Sequence, residues 1–396
     1  MDIGFYEEVN VNDNNIVRLV DAIFSKAMQL QASDIHIEPL EDCCRIRLRL
    51  DGILSELCRL PLARHNAILS RIKLLSEMDI AEKRLPQDGS LVGNFSKREI
   101  DFRISSLPTI RGEKLAIRIL DKNTNVLKLT ELDFSEMNFS NYKKLIQSGN
   151  GLILMTGPTG SGKTTTLYAT LMSINSPEKN IVTLENPVEY KLAGINQVAI
   201  QEKIGMSFAK CLRALVRQDP NVIMLGEIRD KESAQIAIQA ALTGHLVFST
   251  LHTNNALGAI TRLIDMGIEP FHLLSALRGV LAQRLVRKVC PFCGEEYIPQ
   301  EFEKHYLGSV SDLRIKLYRG KGCEFCHNSG YRGRIALQEL VVMDDTLRSL
   351  CMHLDREKEQ LVYLRKVGFK TLHEDGIEKV LSGKTTLAEL NRIALA

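Results

Sequence analysis

The chain has 396 residues, long enough for two or three domains that each bury a core. Apolar residues at 44% and charged residues at 25% are ordinary for a soluble globular protein, and 51 basic against 48 acidic residues leave a net charge of +3. So even a balance gives no argument for a nucleic-acid partner, and no run approaches the roughly 18 consecutive apolar residues that cross a bilayer.

Residues 1–15 contain Asp2, Glu7, Glu8 and Asp13 and neither Lys nor Arg, which is no secretory signal, so the chain is read as cytoplasmic. Helical spacing of Ile16, Leu19, Val20, Ile23, Phe24 and Ala27 predicts a first helix near 16–30. The period then changes to two over Cys44–Leu50, and Asp51-Gly52 marks a hairpin. A second helix is expected over Leu62–Met78, and strands over Glu99–Ser105 and Lys114–Leu120. Residues 1–125 therefore read as a small α+β domain, and 126–140 as a linker.

From about residue 150 the pattern alternates strand and helix, the rhythm of a parallel sheet in an α/β core over 141–285. Gly151–Thr156 is a short apolar strand, and Gly157-Pro158-Thr159-Gly160-Ser161-Gly162-Lys163-Thr164 matches G-x-x-x-x-G-K-[ST] in full. A helix follows over Leu167–Ile174, so strand, loop and helix stand in the order that a phosphate-binding loop needs. Its glycines let backbone N–H groups turn toward phosphate oxygens, and the helix start adds orphan donors. Lys163 is expected at the β/γ-phosphates, the Thr164 hydroxyl on Mg²⁺, and Thr165 beside them. Ser382-Gly383-Lys384-Thr385 repeats part of the motif, but Glu378 stands where its first glycine belongs.

Three later strand ends carry polar groups where open parallel sheets place ligands. Asn180–Leu184 leads into Glu185-Asn186-Pro187-Val188-Glu189, Val222–Leu225 into Gly226-Glu227-Ile228-Arg229-Asp230, and Leu246–Thr250 into Leu251-His252-Thr253-Asn254. Glu227 is the candidate general base, with Glu185 and His252 as further site residues. Next, Cys290-Pro291-Phe292-Cys293 and Cys323-Glu324-Phe325-Cys326 pair thiols at knuckle spacing. Four thiolates fill a tetrahedral shell with no open position, which predicts a structural zinc in a subdomain over 286–335. Cys43, Cys44, Cys58, Cys211 and Cys351 read as packing residues, and 336–396 as C-terminal helices.

Together these residues closely resemble the type II secretion ATPases and the related type IV pilus assembly ATPases, over nearly the whole chain. The resemblance is carried by Ser33–Glu38, Met78–Arg84, Pro86–Gly89, the phosphate loop, Glu185–Glu189, Arg217–Pro220, Gly226–Asp230, Gly244–Asn254, Ala282-Gln283-Arg284-Leu285 and the four cysteines. It implies a PAS-like N-terminal domain and a RecA-like P-loop ATPase domain in a homohexamer, with ATP between the two domains. Such a motor works peripherally at the inner membrane, through a platform protein and a membrane-anchored cytoplasmic adaptor, and it powers pseudopilus assembly for type II secretion or pilus extension. The family's phosphate-reaching arginines match Arg103 and Arg118. The sequence departs from the pattern at Asn186, where the family has Asp, and at Ser90, where Arg is common. Full-length relatives carry a further N-terminal domain, so a short form is expected and the anchoring partner stays open. A DNA translocase and a nucleotide-binding scaffold remain the alternatives.

Overall fold

A computed structural model describes residues 8–96, 98–121, 126–307, 315–353 and 357–394. The fold is mixed α/β and divides into two compact units, Met1–Asn125 and Val126–Ala396.

In the first unit, helix α1 (Ile16–Gln29) is followed by strands β1 (Asp34–Pro39), β2 (Cys43–Leu50) and β3 (Ile53–Pro61). Helix α2 (His65–Leu75) precedes β4 (Gln87–Phe95), β5 (Arg98–Thr109) and β6 (Gly112–Asp121). Asn15 caps α1 by accepting from the N–H groups of Val17 and Arg18. The strands form one antiparallel sheet in the order β3-β2-β1-β6-β5-β4. Alternation sends Ile35, Ile37, Cys44, Ile46, Leu48, Phe102 and Ile117 into the core, where Leu19, Ile23, Phe24, Ile68 and Ile72 of the two helices meet them. The helix expected over Leu62–Met78 is shorter: Leu62–Arg64 is a 3₁₀ turn, and the chain leaves helix at Ser76.

In the second unit, α3 (Glu136–Ile146), β7 (Gly151–Thr156), α4 (Lys163–Ile174), β8 (Ile181–Glu185), β9 (Asn196–Ala199), α5 (Phe208–Leu215), β10 (Val222–Leu225), α6 (Lys231–Leu242) and β11 (Leu246–Leu251) build the centre. Then come α7 (Leu257–Asp265), α8 (Pro270–Ala276), β12 (Leu277–Val289), β13 (Gly294–Tyr297), α9 (Glu301–Tyr306), β14 (Leu317–Gly320) and β15 (Tyr331–Val342). Helices α10 (Asp345–Cys351), α11 (Glu357–Lys366), α12 (Leu372–Leu381) and α13 (Leu387–Ala394) end the chain. The sheet order is β15-β12-β7-β11-β10-β8-β9, parallel except for β15, which runs antiparallel to β12.

Both faces of this sheet are covered, which is why its strands read as unbroken apolar runs rather than alternating ones. Leu152, Leu154, Ile223, Leu225 and Val247 join one core with α5–α8. Ile153, Met155, Val222, Met224 and Phe248 join the other with α3 and α4.

Three expected boundaries are corrected. Residues 126–140 are not a linker: Leu129 and Leu132 are buried in the same core as α3 and α4, and Phe134 stacks on Tyr142 at 5.2 Å. The α/β core does not close at residue 285, because β15 supplies its edge strand. Nor does the cysteine subdomain span 286–335, since Val286 pairs with Ile335 and Val289 with Tyr331 inside the sheet. The four cysteines instead close the far end of the β12/β15 hairpin.

Candidate functional site

The phosphate loop joins the end of β7 to the first turn of α4. The helix begins at Lys163, four residues earlier than its apolar spacing predicts, with Gly162 as N-cap at φ 87°. That left-handed turn is open to glycine at no steric cost. It places Lys163, Thr164 and Thr165 in the first turn, where backbone N–H groups lack helical partners. The Lys163 ammonium is buried and donates to the carbonyls of Gly157 (2.6 Å) and Pro158 (2.9 Å). Burial pulls its pKa down to about 8, with Glu227 acting upward and Arg284 downward.

Glu227 follows β10. Gly226, at the turn, leaves little room for a side chain, since a Cβ would fall 3.3 Å from the Leu184 carbonyl oxygen. The turn is held to β11 by Thr250, whose hydroxyl donates to the Gly226 carbonyl at 2.7 Å. One Glu227 oxygen pairs with Arg229 at 2.5 Å, and the other lies 3.7 Å from Nε2 of His252. Burial and nearby Lys163 lower the His252 pKa, against Glu227, which raises it. Lys163, Glu227, Arg229, His252 and Arg284 therefore form one electrostatic cluster at the strand ends. His252 is held there by its loop: Thr253 N–H donates to the Thr156 hydroxyl (2.9 Å), and Arg284 donates to the Asn254 side chain (2.8 Å).

Glu185 behaves differently. It lies at the end of β8 as expected, yet its carboxylate is buried and already occupied. It accepts from the Tyr168 hydroxyl, from Thr183 (2.5 Å) and from Gln197 (3.1 Å). The same Tyr168 oxygen accepts the Glu189 N–H at 3.3 Å, so α4 is fastened to both glutamates of the 185–189 segment. Burial and Glu185 together push the Tyr168 pKa upward. Sequence reading missed Tyr168 and Gln197; a tyrosine on the inner face of the helix after a phosphate loop was the available signal.

Arg103 and Arg118 belong to the first unit and face each other across β5 and β6. Like charges directly opposite in a sheet are unfavourable by roughly 0.2–1 kcal/mol. Arg118 is offset by Asp34 at 3.5 Å, whereas the Arg103 side chain makes no hydrogen bond or ion pair among the described residues. With Asp34, Asp88 and Asp101 they line an open cavity of about 690 Å³. Ser90 is the cross-strand neighbour of Arg103.

The four cysteines converge. Cys290 and Cys323 sulfurs lie 3.8 Å apart, Cys293 and Cys326 3.8 Å, and Cys323 and Cys326 3.6 Å. All four fall within 4.8 Å of one another. A tetrahedral zinc with bonds of about 2.3 Å needs sulfur–sulfur edges of about 3.8 Å, so the donor set fits that metal. Burial works against a Cys326 thiolate, but the Cys323 (3.2 Å) and Gly330 (3.3 Å) N–H groups donate to its sulfur and bring its pKa to about 6. Close approach of Gly320 to Gly330, where either Cβ would strike backbone at under 2.7 Å, keeps that N–H in reach. No helix among the described residues is long and apolar enough to cross a membrane.

Residues 9–392 match the family described as Type II/IV secretion system protein. Over 382 residues the chain is 48% identical to the type II secretion system protein E of Pseudomonas aeruginosa, covering 96% of this chain and 76% of that protein. It is 46% identical to the type II secretion system ATPase E of Vibrio cholerae, with the same coverage. Among solved structures, the pilus retraction motor PilT with bound ADP aligns with a TM-score of 0.62 at 26% identity, over 94% of this chain and 95% of that one.

Proposed function

The chain belongs to the Type II/IV secretion system protein family, and we propose that it is the ATP-hydrolysing motor of type II secretion, powering pseudopilus assembly. The observation that carries this reading is the convergence of Lys163, Glu227 and His252 at the strand ends beside the phosphate loop. Residues 157–165 hold the nucleotide phosphates, and Glu227 takes the proton of the water that attacks the γ-phosphorus as the bond to ADP breaks. His252 lies within reach of the same carboxylate. Thr164, exposed in the first turn of α4, is the residue for Mg²⁺, which neutralises phosphate charge when bound. Glu185 acts through Tyr168, by holding the loop's helix.

In this reading the first unit is PAS-like and the second RecA-like, joined as a homohexamer at the cytoplasmic face of the inner membrane. A platform protein and a membrane-anchored adaptor are its partners. Zinc in the cysteine clip is structural. The unpaired Arg103 supports assembly, because a guanidinium reserved for phosphate charge has no use for an internal partner.

Mg²⁺-dependent hydrolysis per subunit, followed over a wide range of protein concentration, tests the proposal. Turnover should rise with concentration, and Glu227→Gln should lower it by roughly 10²-fold or more. A flat, negligible rate shared by both proteins at high concentration would return the chain to the scaffold reading.

A further inference from the structure

The geometry assigns Gln283 as a positioning residue that sets the shape of the phosphate loop, an inference that rests on the loop's reading as a nucleotide site. Gln283 lies on β12, the strand next to β7, and the residue is 3% exposed. Its amide nitrogen donates to the carbonyl oxygen of Ser161 at 2.8 Å, inside the loop. Its amide oxygen accepts from the Thr166 hydroxyl at 2.9 Å, in the first turn of α4. One primary amide therefore holds both the loop and the helix that the loop opens, and both of its polar ends are used.

The side chain also lies close against one glycine of the motif. A Cβ on Gly162 would fall 2.7 Å from the Gln283 amide nitrogen, while one on Gly157 would meet the main-chain carbonyl oxygen of the same residue at 2.3 Å, a contact of the strand rather than of the side chain. Positive φ, 143° at Gly157 and 87° at Gly162, already favours glycine at both. The partner strand keeps Gln283 in place. Gln338 is its cross-strand neighbour, and it is fixed through its N–H to Asp375 (2.8 Å) and through its side chain to the Leu132 carbonyl (3.3 Å). A donor aimed at Ser161 turns that carbonyl toward β12 and so fixes the direction of the adjoining peptide planes, whose N–H groups are those that meet phosphate.

The test compares the full chain with Gln283→Met, similar in length but without hydrogen-bonding groups, and with Thr166→Val. The probe is a fluorescent ADP analogue, with melting temperature and steady-state kinetics measured in parallel. Gln283→Met should bind ADP about tenfold more weakly and raise KM to match, with kcat at saturation within about twofold of the parent. Thr166→Val should weaken binding by about threefold, and Thr166→Ser should bind as the parent does. The double variant Gln283→Met/Thr166→Val should be no weaker than Gln283→Met, because the two groups share one bond. Parent-like affinity in a folded Gln283→Met protein overturns the assignment. If that protein does not fold, parent-like affinity of Thr166→Val overturns it instead. A parent chain that binds no ADP removes the nucleotide reading and this inference with it.

Discussion

Two glutamates at adjacent strand ends show how position and environment separate. Glu185 and Glu227 both follow buried strands of one parallel sheet, and both were legible as site candidates. Glu185 is buried and accepts hydrogen bonds from three side chains, Tyr168, Thr183 and Gln197, so its carboxylate is committed to the fold. Glu227 has one oxygen on exposed Arg229 and the other toward His252, and stays accessible. Lys163 carries a prediction at this scale. Burial lowers its pKa to about 8, so above that pH the free protein holds a neutral amine. Phosphate favours the charged form, and binding must then take up a proton. ADP affinity is expected to fall as pH rises through 8, by up to about tenfold per unit. Calorimetry at pH 7 and 9, in buffers of different ionisation enthalpy, reads both the affinity and the proton; equal affinity without uptake refutes the lowered value.

At the scale of elements, the β12/β15 hairpin does most to organise the second unit. Its middle carries Gln283 against the phosphate loop and Glu339, whose carboxylate accepts from Ala256 N–H (2.8 Å) just after the His252 loop. Its tip is closed by the four cysteines. Neither strand's role is written locally: Leu277–Val289 is apolar enough for a strand, but its parallel pairing with β7 is a contact made more than a hundred residues away in sequence. Purified protein is expected to hold about one zinc per chain. Cys326→Ser should lose it and lower the melting temperature, while Cys351→Ala, at a buried packing position, should keep the zinc. Elemental analysis with a thermal melt decides; zinc retained by Cys326→Ser would show that the metal is held elsewhere.

At the scale of the whole molecule, the proposed function gives Arg103 a use outside its own unit. It stands opposite Arg118 without an internal partner, so its removal should leave the fold unharmed. Arg103→Ala is expected to reduce kcat by roughly 10²-fold or more at high protein concentration while ADP affinity in dilute solution stays unchanged. Concentration-dependent kinetics check this, and a variant with parent kcat would return Arg103 to a solvated strand face.

The chemistry proposed for the site is written in local patterns: the G-x-x-x-x-G-K-T loop, the acidic strand end at Glu227 and the two cysteine pairs are each legible from spacing along the chain. Alternation in Cys44–Leu50 and the helical spacing from Ile16 likewise rest on neighbours along the chain. Tertiary structure alone decided what depends on distant pairing. It made 126–140 part of a core, put β15 on the sheet edge, turned Glu185 inward to Tyr168 and set Gln283 under the phosphate loop. A strand's neighbours and a buried carboxylate's donors come from remote segments, and burial makes those partners obligatory without leaving a periodic trace in the sequence.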